Sequence, residues 1–415
     1  MKNWAGNLTF SAKEFIEIDN ISKLQQVVSN SQAVKVLATG HSFNAIGDTK
    51  DTLISLKNLS NAIEIDSQNA QALIPAGMAY ADAARYLESK GWAFSNMASL
   101  GEVTIAGAIS TGTHGSGSNN GVLSTSVVGL EIVLGSGELV TIDESNSEEF
   151  AGFVISLGAL GVFTKIKMRI IPSFSVKQFV YENIGIQAVA ENFDTVFNSA
   201  YSVSYFSNWA NNSTGQIWMK FLDDSSSDNL SDNWLGANQA KVKQHPVKIN
   251  NPDPCTDQLG ISGKWLYRLP HFKLDSSPAS GDEVQTEYLV DRKYVNEYIQ
   301  DLRTIGDEIA PRVYATEIRT IKSDKLWLSG AYQRETVGFH FTWKKSDTLV
   351  DFLPRIEEIL GKHHGRPHWA KLFSVKSDEL SARYPKYSNF EALLKKYDPK
   401  KKFRNKFIDQ YFSNY

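Results

Sequence analysis

The stretch Gly40-His41-Ser42-Phe43-Asn44 follows an apolar run at residues 34–37 and begins a polar loop. A short apolar run that ends at glycine is typical of a β-strand leading into a binding loop. Successive backbone N–H groups in such a loop can bind an anion, and Ser42 and Asn44 add side-chain donors. The stretch therefore predicts a site for a phosphate or pyrophosphate group. His41 has no evident use in binding phosphate, and the pattern alone leaves open whether it simply caps the turn.

A second loop rich in small residues lies at residues 99–117, which read Ser-Leu-Gly-Glu-Val-Thr-Ile-Ala-Gly-Ala-Ile-Ser-Thr-Gly-Thr-His-Gly-Ser-Gly. No lysine or arginine occurs between Ser99 and Gly121, so dipoles and hydroxyl groups would hold an anion here. This composition favours a buried dinucleotide over an exchangeable ATP. The sequence has no Gly-x4-Gly-Lys-Ser/Thr motif and no clean Gly-x-Gly-x-x-Gly after a first strand, which argues against Walker and nicotinamide Rossmann sites.

Length and composition narrow the protein class. The chain has 415 residues, of which 42% are apolar and 11% aromatic, and this length predicts two domains. The formal net charge is -3, without a basic cluster, so we expect no nucleic-acid partner. The first residues lack an apolar signal region, and no stretch approaches the roughly 18 apolar residues of a membrane span. We therefore expect a cytoplasmic protein, without a membrane partner and monomeric. Cys255 is the single cysteine, which excludes an intrachain disulfide and a cysteine metal cluster.

Apolar periodicity in the first 174 residues predicts helices and strands in mixed order. The predicted elements are helices at 21–28, 80–90 and 148–157, strands at 34–38 and 161–171, and a hairpin pairing 129–134 with 138–142. After Pro172 the pattern shifts to aromatic residues with a period of two, which predicts an antiparallel sheet.

Alternation along three predicted strands directs polar side chains to common faces. Glu317 and Arg319 share one face, and His340 shares a face with Thr342, opposite the aromatic residues of 339–343. Gln285 and Glu287 share a third face. On pattern alone, a surface ion pair is the preferred interpretation of Glu317 and Arg319, and His340 could be a core histidine bonded to a backbone carbonyl.

Two features near the C-terminal part of the predicted sheet are less usual. In a strand, the side chain of Lys371 would point to the same face as those of Trp369 and Phe373. Its ammonium group would then be buried, which is costly unless the site needs a cation. His363, His364 and His368 lack carboxylate or cysteine companions at ligand spacing, so we predict no metal site.

Five motifs together resemble one known family. They are Gly40-His41-Ser42, the loop 99–117, Glu317-Ile318-Arg319, Phe339-His340-Phe341-Thr342-Trp343, and Arg366-Pro367-His368-Trp369-Ala370-Lys371. In this order they resemble the alditol oxidases, which belong to the vanillyl-alcohol-oxidase-type flavoproteins alongside the aldonolactone oxidases. The resemblance implies an α+β, two-domain FAD-binding fold of the vanillyl-alcohol-oxidase type with an antiparallel-sheet substrate domain. The expected FAD-binding domain is 1–174, the substrate domain is 175–374, and segment 375–415 returns to the first domain.

The resemblance also implies a cofactor and its binding residues. The imidazole of His41 would be bonded covalently to the 8α carbon of FAD. Neither flavin loop contains a cysteine, so attachment through His41 alone is implied. The other FAD-binding positions implied are Gly40, Ser42, Phe43, Asn44, Ser99, Gly101, Thr104, Gly107, Ser110, Thr113, His114 and Gly115.

The implied reaction is oxidation of the terminal primary alcohol of an alditol such as xylitol or sorbitol, with O2 reduced to H2O2. Lys371 and Arg319 would stabilise the developing alkoxide, and His340 is the candidate base. Substrate binding would fall to Ser99, Glu317 and Gln285. Two alternatives stay open, namely an aldonolactone oxidase or dehydrogenase and a carbohydrate-binding protein without turnover.

Overall fold

A computed structural model describes residues 1–59, 62–145, 148–224, 230–276 and 281–413. The first element group is a parallel sheet of β1 (Glu14–Glu17), β2 (Val34–Val36) and β3 (Thr52–Ser55), in the order β1-β3-β2. Helix α1 (Ile21–Asn30) joins β1 to β2 and buries Leu24 and Val28, one turn apart. The side chain of Asn20 caps it by accepting a hydrogen bond from the Lys23 backbone N–H. The predicted strand at 34–38 is present as β2, which ends two residues earlier, at Val36, and the chain then leads to Gly40.

A five-stranded antiparallel sheet in the order β4-β5-β9-β7-β8 follows, beside a two-stranded pair of β6 and β10. Its strands and the pair are β4 (Glu64–Asp66), β5 (Gln71–Pro75), β6 (Trp92–Ala93), β7 (Val127–Val133), β8 (Leu139–Asp143), β9 (Val162–Arg169) and β10 (Ile171–Pro172). The helices in this region are α2 (Tyr80–Ser89), α3 (Ile105–Ser110) and α4 (Phe150–Val154). The predicted hairpin is confirmed by the pairing of β7 with β8. The predicted helix at 148–157 is shorter than expected, because α4 ends at Val154. Beyond Ile155 the chain turns, and Leu157 there has a positive φ.

The larger sheet has the order β14-β15-β11-β13-β12-β18-β19-β17-β20, with β16 paired to β11, and its strand pairs are antiparallel. Its strands are β11 (Ser175–Ile184), β12 (Ser202–Ser207), β13 (Gly215–Leu222), β14 (Asn233–Trp234), β15 (Ala237–Gln239), β16 (Gly263–Lys264), β17 (Glu283–Asp291), β18 (Val313–Ile321), β19 (Thr336–Lys344) and β20 (Arg366–Pro367). Helices α5 (Ile186–Glu191), α6 (Phe193–Phe197), α7 (Val295–Thr304), α8 (Gly306–Ile309) and α9 (Leu349–Leu360) accompany it.

The face of this sheet that packs against the helices is apolar. Phe339, Phe341 and Trp343 of β19 lie in one buried cluster with Ile299 of α7 and Ile356 of α9. The helices thus cover one face, and the polar residues of alternate parity lie on the other. This confirms the predicted antiparallel sheet and the alternation in β19.

The chain ends in α10 (Ser377–Arg383), α11 (Tyr387–Tyr397) and α12 (Lys406–Tyr411). Leu380, Phe390 and Phe407 of these helices share a buried cluster with Ile74 and Ile166 of the five-stranded sheet. The last segment therefore packs against the first half of the chain, while the domain borders at 174 and 374 stay a prediction. Within the described ranges, none of the helices has the length and apolar character needed to traverse a bilayer.

Candidate active site

A cavity of about 1060 Å³ lies between the two predicted flavin loops and the polar face of the large sheet. Its volume is at the upper end of the roughly 300–1,000 Å³ typical of small-molecule sites. Predicted site residues on its wall are Gly40, His41, Ser42, Phe43, Asn44, Ser99, Thr104, Gly107, Ser110, Thr113, His114, Gln285, Glu317, Arg319, His340 and Lys371. Residues from opposite ends of the sequence thus meet at one cavity.

His41 is held at the cavity wall by its neighbours. Its Nδ1 lies 3.0 Å from Oγ1 of Thr39, and its ring stacks on Trp4 with centroids 5.1 Å apart. Nε2 is buried and has no hydrogen-bond partner among the described residues, although Oε2 of Glu102 lies 3.5 Å away. Burial and the nearby charge of Lys371 lower the pKa of His41 to about 4. The imidazole is therefore neutral near pH 7 and retains a free lone pair.

The first loop uses two of its donors differently from the prediction. The Asn44 side chain donates to the carbonyls of Trp369 at 2.8 Å and Lys371 at 2.7 Å, and the Phe43 backbone N–H donates to Ala370 at 2.8 Å. These donors are already occupied by backbone carbonyls, while Asn44 still lines the cavity, and its contact with the cofactor stays a prediction. Asn44 thus attaches the loop to the segment that carries Lys371.

The second loop also contains positions with packing roles. Thr104 caps α3 by accepting from the Gly107 backbone N–H at 3.2 Å. Gly101 and Gly115 are outside the residues that line the cavity. A Cβ at Gly115 would lie 2.4 Å from both Oδ1 of Asn96 and the Met97 carbonyl, and one at Gly101 would lie 2.7 Å from Leu274. Close packing therefore accounts for glycine at these two positions, and their predicted contact with FAD stays a prediction.

Glu287 is the centre of a buried ionic cluster on the sheet side. Its Oε1 accepts from Nη2 of Arg319 at 2.7 Å and lies 3.2 Å from Nε2 of His114. Its Oε2 lies 3.4 Å from Nδ1 of His340. Burial alone would raise the pKa of Glu287, but the charge of Arg319 and the two histidines hold it well below its usual value. His114, predicted to contact the cofactor, thus directs its imidazole at this carboxylate.

Glu317 is the second buried carboxylate of the cluster. Its Oε1 lies 2.8 Å from Nε2 of His271 and 3.6 Å from Nε of Arg319. Burial opposes ionisation, but Arg319 and His271 outweigh it and lower the pKa of Glu317 below its usual value. Both Glu317 and Arg319 are 6% exposed. The alternative of a surface ion pair is therefore wrong.

Lys371 directs its ammonium group toward the same wall. Its Nζ donates to Oε1 of Gln285 and lies 5.1 Å from the centre of the Phe43 ring. Burial lowers the pKa of Lys371 to about 8, partly offset by Glu287. Residues 369–371 form a turn after β20, so the predicted strand parity was wrong although the ammonium does face the cavity.

His340 lies between Glu287 and the cavity. Its Nε2 is 3.3 Å from Oγ1 of Thr342, while Nδ1 faces Glu287. Burial lowers the pKa of His340, which Glu287 only partly offsets. A neutral ring with its N–H directed at the carboxylate leaves Nε2 as an acceptor.

Several lining residues were not predicted as site residues, among them Glu287, His271, Thr342 and His368. Glu287 lies on the same strand face as Gln285, and Thr342 lies on the same face as His340, so the alternation of side chains could have identified both. His368 is buried and accepts from the Ala370 backbone N–H. His271 lies in a loop, where no periodic signal exists. Within the part of the chain that the structure describes, no group of three or more potential metal ligands occurs.

Comparison with known proteins identifies the class. A family model described as an FAD binding domain matches residues 16–143, and one described as D-arabinono-1,4-lactone oxidase matches 282–411. An alditol oxidase from Streptomyces sp. is 37% identical over 98% of this chain and 97% of its own. The chain belongs to the vanillyl-alcohol-oxidase-type flavoproteins. It is an FAD-dependent oxidoreductase of α+β fold.

More distant relatives agree with this assignment. An L-gulonolactone oxidase from Bos taurus is 23% identical over 99% of this chain and 98% of its own. The crystal structure of cholesterol oxidase from B. sterolicum superposes with a TM-score of 0.80 at 13% identity, covering 99% of this chain and 96% of that one. The latter likeness concerns the fold alone.

The residues present fit FAD. The cavity is large and continuous from Lys35 and Phe403 to His340 and Lys371. The buried Nε2 of His41 has no hydrogen-bond partner within the described ranges and lies at its wall. Ser110 and Thr113 of the second loop also line the cavity, which suits an anion held by dipoles.

Proposed function

We propose that the protein is an oxidase that converts the terminal primary alcohol of an alditol, such as xylitol or sorbitol, to the aldose and reduces O2 to H2O2. One observation carries the proposal. A cation, a neutral imidazole and an ionised carboxylate, from Lys371, His340 and Glu317, share a cavity wall across from the flavin loops. The similarity to an alditol oxidase along nearly the whole chain supports the choice of substrate.

We also propose that FAD is bonded covalently to His41. Bond formation at carbon requires an imidazole nitrogen with a free lone pair, and the lowered pKa of His41 provides one near neutral pH. Trp4 and Thr39 fix the ring. When bound, FAD supplies a hydride acceptor for the carbinol carbon and a route for the two electrons to O2.

Removal of the hydroxyl proton needs help, because the pKa of an alcohol is roughly that of water, about 15.7. His340 would accept this proton at Nε2, since Glu287 engages its other nitrogen. Lys371 and Arg319 would stabilise the negative charge that develops on the oxygen. The proton leaves the hydroxyl oxygen and the hydride leaves the carbon bonded to that oxygen, so the alcohol loses two electrons and becomes an aldehyde.

Glu317 would bind the polyol rather than react with it. His271 and Arg319 both contact its Oε1, which leaves Oε2 to accept from hydroxyl groups. Ser99 and Gln285 would add further hydrogen bonds along the chain of hydroxyls. A site that pairs buried polar groups with hydroxyls discriminates strongly against deoxy analogues.

The decisive experiment compares substrates. Purified protein is supplied with xylitol, sorbitol and an aldonolactone, and O2 consumption and H2O2 formation are measured. We expect both polyols to drive H2O2 formation and the lactone to fail. Faster turnover on the lactone would favour the aldonolactone oxidase, a rival supported by the family model that matches residues 282–411. Absence of turnover on every substrate, with FAD bound, would favour a carbohydrate-binding protein.

We still predict that the enzyme is a monomer and that it is located in the cytoplasm. Gel filtration with light scattering measures the mass directly, and a dimer would contradict the prediction.

A further inference from the structure

Lys220 is a buried lysine outside the set of residues that line the cavity. It belongs to β13 and is 1% exposed. Its Nζ contacts the Leu269 carbonyl, the Pro270 carbonyl at 3.2 Å and Nδ1 of His271 at 3.3 Å. The three acceptors come from consecutive residues and match the three hydrogens of an ammonium group. The lysine is therefore fully paired without any carboxylate at bonding distance among these contacts.

His271 lies between this ammonium and the carboxylate of Glu317. Its Nε2 is 2.8 Å from Oε1 of Glu317. The edges and faces of Phe206 and Trp218 enclose the ring, with centroids at 5.3 Å and 5.6 Å and interplanar angles of 76° and 90°. The imidazole thus has Nδ1 at Lys220 and Nε2 at Glu317, and Oγ of Ser204 lies at a longer distance of 3.5 Å from Nε2.

The partners determine where the imidazole proton lies. A carboxylate only accepts hydrogen bonds, so Nε2 of His271 must carry a hydrogen. Burial lowers the pKa of Lys220 to about 7, against the raising effect of the Glu317 charge. The charged form of Lys220 only donates, so Nδ1 is then bare and accepts from it. With Lys220 charged, both conditions hold only for the neutral tautomer with hydrogen on Nε2. Burial and the charge of Lys220 also lower the pKa of His271 to about 4, which agrees with a neutral ring.

We propose that Lys220 and His271 are a positioning pair that fixes the ionised carboxylate of Glu317 and leaves its second oxygen for a hydroxyl group of the substrate. The proposal deepens the function proposed above and rests on it. Neither residue reacts. Lys220 acts through His271, and His271 acts through Glu317, so their effect is on binding of a polyhydroxylated substrate rather than on hydride transfer.

The first test needs no substrate. The chain has eight histidines, and 15N-histidine labelling with long-range 15N–1H correlation spectra reports the tautomer of each. The His271 signals are assigned by their loss in His271→Gln. Below pH 7, where Lys220 is charged, we expect His271 of the holoenzyme to have a bare Nδ1 and a protonated Nε2. A charged ring, or hydrogen on Nδ1, overturns the proposal whatever the protein oxidises.

The second test separates positioning from packing. The amide of His271→Gln offers both an acceptor and a donor, whereas His271→Phe fills the space with neither. We expect His271→Gln to keep KM within about threefold, and His271→Phe to raise KM on the order of tenfold with kcat nearly unchanged. Equal behaviour of the two variants would show that the ring only fills space and would overturn the proposal.

The third test removes the distant charge. Lys220→Met keeps the length and leaves Nδ1 of His271 without a donor, so the ring is no longer held in the Nε2–H tautomer, and KM should rise about fivefold with kcat nearly unchanged. The matched control is Cys255→Ala, since Cys255 is buried in the same cluster as Phe206 and Trp218; it should leave KM unchanged. An unchanged KM in folded Lys220→Met overturns the proposal. If that variant fails to fold, the Gln and Phe pair decides.

The outcomes of these tests distinguish a failure of the positioning pair from a failure of the proposed function. If the wild-type enzyme oxidises a lactone in place of polyols, the substrate assignment is wrong but the tautomer measurement still decides the positioning pair. If polyols are oxidised and the tautomer is wrong, only the pair is rejected.

Discussion

The loop side and the sheet side of the cavity face each other but differ in how they are built. The loop at 99–117 has no lysine or arginine and presents backbone groups and hydroxyls. The sheet side carries Glu287, Glu317, Arg319 and Lys371. Dipoles that are fixed in the backbone suit a cofactor that stays bound, whereas buried charges respond to a charge that appears during reaction. The difference indicates that binding of FAD and activation of substrate can be disturbed independently.

The largest expected effect is on the loop side. His41→Ala should abolish covalent flavin, while FAD remains bound in part because the backbone groups of both loops are retained. Denaturing electrophoresis with flavin fluorescence measures the covalent fraction. A fluorescent band in the variant would reject the attachment to His41.

Loss of the sheet-side cation should slow chemistry and spare the cofactor. Lys371→Met keeps the length but removes the charge, and a charge-assisted hydrogen bond contributes roughly 1.5–3 kcal/mol, or about one to two orders of magnitude in rate. Anaerobic stopped-flow reduction at saturating polyol measures this rate. A wild-type rate with weaker apparent affinity would make Lys371 a binding residue, and the alkoxide role would pass to Arg319 and His340.

The same cation gives the reaction a pH limit. The pKa of Lys371 is lowered to about 8, so the group is charged below pH 8 and loses its proton as pH rises. Flavin reduction should therefore fall about tenfold per unit well above pH 8. The rate of Lys371→Met should lack this alkaline limb. A limb that persists in the variant would belong to another group.

A smaller effect is expected when sheet-side binding is weakened. Glu317→Gln retains a neutral acceptor but loses the charge, which costs about 1 kcal/mol in ground and transition states alike, or about fivefold in KM. Steady-state kinetics with xylitol measures it. An equal fall in kcat, with KM unchanged, would show instead that Glu317 acts in the transition state.

The smallest effect should come from the residue that joins the two sides. Phe43 belongs to the flavin loop, yet its ring lies beneath the Lys371 ammonium group. Phe43→Leu removes a cation–π contact of roughly 0.5–1 kcal/mol, so flavin reduction should slow about two- to fivefold. Covalent flavin should be unaffected. A loss of covalent flavin would show that this ring serves the loop side as well.

Strand parity predicted more of the site than any loop pattern did. The alternation placed Glu317 with Arg319 and His340 with Thr342, because a period of two depends only on local backbone geometry. His271 was missed since its role depends on contact with Glu317, 46 residues away. The hydrogen bonds from Asn44 to Trp369 and Lys371 were missed for the same reason, because they depend on tertiary structure. The turn that carries Lys371 was also missed, because the strand before it, β20, is only two residues long and gives no clear period.

The bonds from Phe43 and Asn44 to residues 369–371 bear on the order of events during synthesis. Asn44 and Trp369 are 325 residues apart, so a ribosome adding roughly 5–20 residues per second needs about 16–65 s to supply the partners of the loop. His41 emerges early, but its surroundings are complete only after Lys371 has been made. Flavin attachment, as proposed, would then follow translation, and covalent flavin would report that nearly the whole chain has folded.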